Sequence, residues 1–83
     1  MNKILITIYV LSLNQSYDMF LPITMQMTEC MDLIQNTIKE LSDDMYEINE
    51  KPILYNEFDG KIINLNNIVK FSGLKNGCKV LLK

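Results

Sequence analysis

Phe58-Asp59-Gly60-Lys61-Ile62-Ile63, and further on Asn76-Gly77-Cys78-Lys79-Val80-Leu81-Leu82-Lys83, lay out a turn, a short apolar strand, a loop, a second turn and a final strand. Asp59-Gly60 and Asn76-Gly77 are turn dipeptides, because glycine accepts the positive φ that tight reversals need. In the last strand Cys78, Val80 and Leu82 fall on one face, and Lys79, Leu81 and Lys83 on the other. Between the two turns, Asn66 to Phe71 predicts a single helical turn carrying Ile68 inward, and Leu74 is expected to pack ahead of Asn76-Gly77.

Moving upstream, the pattern repeats at the other end of the chain. Ile4, Ile6, Ile8 and Val10 alternate with other residues over 3–11, which is strand periodicity with an inward β-branched face. Asn14-Gln15-Ser16 is turn-prone, and Tyr17-Asp18-Met19-Phe20-Leu21 alternates again until Pro22. This second arm of a hairpin places Tyr17, Met19 and Leu21 inward and leaves Asp18 and Phe20 outward. From about Met25 the period changes. Met27, Met31, Ile34, Ile38 and Leu41 recur at intervals of four and three, one face of a helix, with Thr24 or Thr28 as its cap. The acidic connection Ser42 to Lys51 is expected to tuck Met45, Tyr46 and Ile48 against the core. Pro52 to Phe58 reads as a third strand with Phe58 facing inward, and Ile62-Ile63 as a short fourth.

Two strands, a helix and two or three further short strands make an α+β domain. With the helix crossing from the hairpin and the last strand returning beside the first, in parallel at the sheet centre, the arrangement is a ubiquitin-like β-grasp. Its mixed four- to five-stranded sheet packs on one main helix, in a single domain over residues 1–83. Within that frame, Tyr17-Asp18-Met19-Phe20-Leu21-Pro22, Gly60-Lys61-Ile62-Ile63, and Leu74-Lys75-Asn76-Gly77 before Lys79-Val80-Leu81-Leu82 resemble the YukD/EsaB-like ubiquitin-like proteins associated with bacterial type VII secretion. The resemblance spans most of the chain and implies a small cytoplasmic accessory or regulatory protein of the secretion machinery, neither an enzyme nor a conjugated modifier. The acidic segment before Pro52 is longer than that pattern, so no residue-level correspondence carries over 42–57.

Composition argues in the same direction. The 83 residues contain no His, Arg, Trp or Ala. Without His the commonest general base and metal ligand is missing, and without Arg so is the bidentate reader of phosphate and guanine. Cys30 and Cys78 have no metal-ligand spacing and read as small buried residues of a reducing compartment, with a disulfide between them as the alternative. The acidic connection lacks the alternating oxygen ligands and glycine of a calcium loop. No cofactor, metal or small-molecule substrate is expected. The N-terminal run is too short to span a bilayer and lacks a cleavage site, so neither secretion nor membrane insertion is expected, and a cytoplasmic location is. The sequence shows no Gly-Gly before Lys83, so conjugation is not expected.

Binding is the remaining activity. One face of the sheet is covered by the helix, and the other is expected to meet solvent with Leu5, Tyr9, Phe20 and Leu81, edged by Lys3, Lys79 and Lys83. That is more apolar than a solvent face requires. Adjacent central strands are expected to bring Leu5 and Leu81 together. All ten acidic residues lie at or before Asp59, and only lysines follow. The expected partner is therefore a protein with an acidic surface, such as a secretion-system component. A homodimer through the same face is one alternative. Weak nucleic-acid binding by the lysine-rich last third is another, disfavoured by a net charge of −2.

Overall fold

The computed structural model describes residues 2–83. Strand β1 (Lys3–Val10) and strand β2 (Gln15–Pro22) form an antiparallel hairpin, and α1 (Met27–Leu41) follows. Strand β3 (Leu54–Asn56) and strand β4 (Cys78–Leu82) complete a sheet of order β2-β1-β4-β3. β1 and β4 pair in parallel at its centre, and β3 runs antiparallel to β4. This is the ubiquitin-like β-grasp.

Alternation builds the core as expected. Ile4, Ile6, Ile8 and Val10 of β1 and Val80 and Leu82 of β4 point to one face, where Met27, Cys30, Met31, Ile34 and Ile38 of α1 cover them. Leu21 is buried with them, and Tyr17 and Met19 pack at the margin. Six of these side chains come from the two central strands, so the hydrophobic stabilisation is concentrated where sheet and helix overlap fully.

Several local expectations change. The helix begins at Met27 after Gln26, whose side chain makes no capping bond, so neither Thr24 nor Thr28 acts as a cap. Leu41 is exposed in the last helical turn. In its place Tyr46 closes that end of the core, brought back by Asp43 and Asp44 in the left-handed region. Met45 and Ile48 remain exposed, so the acidic connection contributes one core residue rather than three. The third strand stops at Asn56 because its side chain turns the chain: Asn56 Oδ1 accepts from the Phe58 N–H (2.9 Å) and Asn56 O from the Gly60 N–H (2.8 Å). Phe58, expected inward, sits at the tip of that turn and is 96% exposed.

No fourth short strand forms at Ile62-Ile63. Ile62 makes one isolated bridge to Tyr55, and Ile63 alone of the pair is buried. The sheet therefore has four strands. The helical turn is a 3-10 turn over Val69–Phe71, and it sends Val69 rather than Ile68 into the core. Leu74 is buried as expected.

Cys30 and Cys78 are free thiols, one fully buried and one half-exposed. Burial pushes the Cys30 thiol up to about 11 from an ordinary value of 9.0. The folded chain holds a proton there that the unfolded chain loses near 9, so this contribution is complete below that pH and falls as pH rises toward 11. A thiol-specific disulfide reagent near neutral pH should modify Cys78 in the native protein and Cys30 only after denaturant is added. Equal rates at the two sites in native buffer would contradict the buried position of Cys30.

Candidate protein-binding face

The face of the sheet opposite α1 carries the odd-numbered residues of β1 and β4, with the even-numbered ones of β2 and Tyr55 of β3. Register decides which of them meet. Leu5 lies opposite Phe20, Thr7 opposite Asp18 and Tyr9 opposite Ser16. Across the parallel pair, Thr7 faces Lys79 and Tyr9 faces Leu81, and Leu81 in turn faces Tyr55.

Leu5 and Leu81 are thus not neighbours. Leu81 aligns with Tyr9, four residues along β1 from Leu5, roughly 13 Å at the rise of a strand. The expected single patch resolves into two. At one end Leu5 and Phe20 pair, with the Lys3 ammonium 4.7 Å from the Phe20 ring centroid. At the other end Tyr9, Leu81 and Tyr55 form a row across three strands, with Lys79 and Lys83 beside it. A polar belt separates them, in which the Thr7 hydroxyl donates to Asp18 Oδ1 (2.7 Å).

The second patch is the more site-like. Its residues line a shallow depression of about 700 Å³ that also takes in Leu11, Asn56 and Glu57. The Tyr9 hydroxyl donates to Asn14 Oδ1, which ties the ring to the β1–β2 turn. Tyr55 was not among the expected face residues, although the signal was present. With Leu54 inward in a strand, Tyr55 must point outward.

The charge segregation of the sequence does not survive folding intact. Glu57 and Asp59 share a surface with Lys75 and Lys79, because the β3 turn packs beside β4 through the Glu57 N–H bond to Lys79 O (3.0 Å). Lysines still edge the Tyr9–Leu81–Tyr55 row, but with Glu57 among them. No three His, Cys, Asp or Glu side chains converge to share a metal ion among the described residues, and no helix there is long and apolar enough to cross a membrane.

No protein-family model and no curated protein matches this sequence. Solved structures do match it in fold. The ubiquitin-like domain of the Mycobacterium tuberculosis type VII secretion system protein ECCD1 aligns with a TM-score of 0.72 at 15% identity, over 99% of this chain and 98% of that one. The ubiquitin-like domain of yeast Ddi1 aligns with a TM-score of 0.71 at 20% identity, over 100% and 90%. An Arabidopsis thaliana ubiquitin-like domain aligns with a TM-score of 0.71 at 13% identity, over 100% and 78%. The fold is that of a ubiquitin-like domain.

Proposed function

We propose that this chain is a non-catalytic protein-binding module and an accessory or regulatory component of a bacterial type VII secretion system, acting in the cytoplasm. Its partner docks on the open sheet face, with the Tyr9–Leu81–Tyr55 row as the anchor and Lys79 and Lys83 orienting an acidic surface. Leu5, Phe20 and Lys3 form a secondary contact. The observation that carries this is the row itself: two tyrosines and a leucine aligned across three strands, on a face that no element covers among the described residues. Aromatic side chains of this kind give large contact area at low entropic cost. The sequence resemblance supports the secretion assignment, as does the likeness in fold to a domain of a type VII component.

The test is a titration of the isotopically labelled chain with purified cytosolic parts of type VII components encoded in the same genome. Amide shifts should concentrate at Tyr9, Tyr55, Leu81 and Lys79. Leu81→Asp should weaken that binding about tenfold or more while leaving the folded spectrum intact. An unfolded Leu81→Asp variant would place Leu81 in the core and sink the docking face. The absence of a type VII ATPase gene from the genome would remove the secretion assignment and leave the binding module.

A further inference from the structure

A four-stranded sheet has two edges, and this chain treats them differently. The β3 edge is closed by its own loop: the Asn56 N–H donates to Lys61 O (2.8 Å) and the Ile63 N–H to Leu54 O (2.8 Å). The β2 edge has no such cover. Leu5 directs both backbone groups toward β4, its N–H to Asn76 Oδ1 (2.9 Å) and its carbonyl to the Gly77 N–H (2.7 Å). Backbone groups of successive strand residues point to opposite sides, so Ile4, Ile6 and Ile8 make the bonds to β2. Their partners Leu21, Met19 and Tyr17 use their own groups in return. The residues between them, Ser16, Asp18 and Phe20, aim N–H and carbonyl away from the sheet. Among the described residues nothing bonds those outward groups.

The site has an end and a shape. Pro22 shares the outward parity but has no N–H, and its carbonyl accepts from the Met25 N–H (3.3 Å), so the edge stops there. β2 carries no lysine, and its register with β1 is unbroken from Gln15 to Pro22. Proteins that must keep an edge from pairing use lysines, bulges or short strands. On the helix side, Tyr17 and Met19 are half-buried. Both belong to the partly buried hydrophobics packed against the core.

We propose that the outer edge of β2 is a strand-addition site for an extended peptide that presents a cationic side chain opposite Asp18 and aliphatic side chains toward Tyr17 and Met19. Unpaired donors and acceptors at every second residue are complementary only to another extended backbone. Charge selects among such occupants. In full overlap with a second copy, the two-fold axis falls on Asp18 and sets it directly against its own counterpart, a repulsive cross-strand pair. A peptide with lysine or arginine at that position replaces the repulsion with attraction. The site uses the outward backbone of β2 and adjoins the sheet face at Phe20, away from the Tyr9–Leu81–Tyr55 row.

The test uses the labelled full chain with a capped peptide alternating isoleucine and lysine, and its glutamate counterpart, with amide exchange read residue by residue. At saturation, exchange at Ser16, Asp18 and Phe20 should slow about tenfold or more while Tyr17 and Met19, already bonded to β1, do not change. The glutamate peptide should bind about fivefold more weakly. Asp18→Asn should erase that preference and keep the alternating protection. Asp18→Pro removes the central outward donor without touching the β1 ladder, and should abolish protection by both peptides. Three results overturn the proposal: no protection with either peptide, protection centred on Tyr9 and Leu81, or concentration-dependent protection of Ser16, Asp18 and Phe20 in the free protein. If Asp18→Pro does not fold, Asp18→Asn decides the charge assignment, and a lysine preference surviving in it overturns that assignment.

Discussion

Ile8→Ala should lower the unfolding free energy by about 2–5 kcal/mol, while its neighbour Thr7→Ala loses about 1 kcal/mol or less. Ile8 sits on the central strand between Tyr17 of β2 and Val80 of β4, and none of its side chain is exposed. Removing its outer carbons leaves a void bounded by sheet on both sides and by α1 above, so the site has little room to collapse. Thr7 points the other way and loses an exposed bond to Asp18. A domain of this size has about 4–12 kcal/mol of stability in total. The Ile8 variant should therefore melt on the order of 10–20 °C lower, and the Thr7 variant only a few degrees lower. Denaturant melts at constant slope measure both. Similar losses at the two positions would mean that β1 does not have one buried and one open face.

That contrast is the part of the fold that sequence carries most directly. Alternation needs no knowledge of neighbours, so Ile4 to Val10 and Cys78 to Leu82 reveal their faces from the residue types alone. Register is a different kind of information. It is set by where hairpins and turns close, and whether Leu81 meets Leu5 or Tyr9 depends on the Asn76-Gly77 turn placing Gly77 against Leu5. Both residues were legible as outward, and their separation was not. Phe58 failed for a local reason. Its hydrophobicity suggests a strand, yet the Asn56 side chain completes a turn two residues earlier, and turn chemistry outweighs one aromatic ring. The free edge of β2 was also invisible, since nothing in its composition distinguishes an edge from a paired strand.

Gln35→Leu should cost about 2–4 kcal/mol although leucine nearly fills the same volume. Gln35 is 2% exposed on the sheet-facing side of α1, a position where helical periodicity alone would predict an apolar residue. Its amide makes three of its four possible hydrogen bonds. Oε1 accepts from the Tyr46 hydroxyl (2.7 Å) and the Asn49 N–H (2.8 Å), and Nε2 donates to Asn49 O (3.1 Å). Leucine would leave the buried Tyr46 hydroxyl and the Asn49 backbone without these partners, and an orphaned buried donor costs more than a hydrogen bond gains. Burial raises the Tyr46 hydroxyl above its ordinary value of 10.0, which keeps it protonated and able to donate. The amide is thus a clip that holds residues 46–49 of the acidic connection to the helix. Two measurements separate a clip from simple packing. Exchange at the Asn49 amide should accelerate in Gln35→Leu, and a double-mutant cycle with Tyr46→Phe should return a coupling of about 1 kcal/mol. Phenylalanine removes the orphaned hydroxyl, so the second change costs less in the Gln35→Leu background than in the native one. Strict additivity would show that Tyr46 and Gln35 contribute separately, and that the connection is held by the burial of Tyr46 alone.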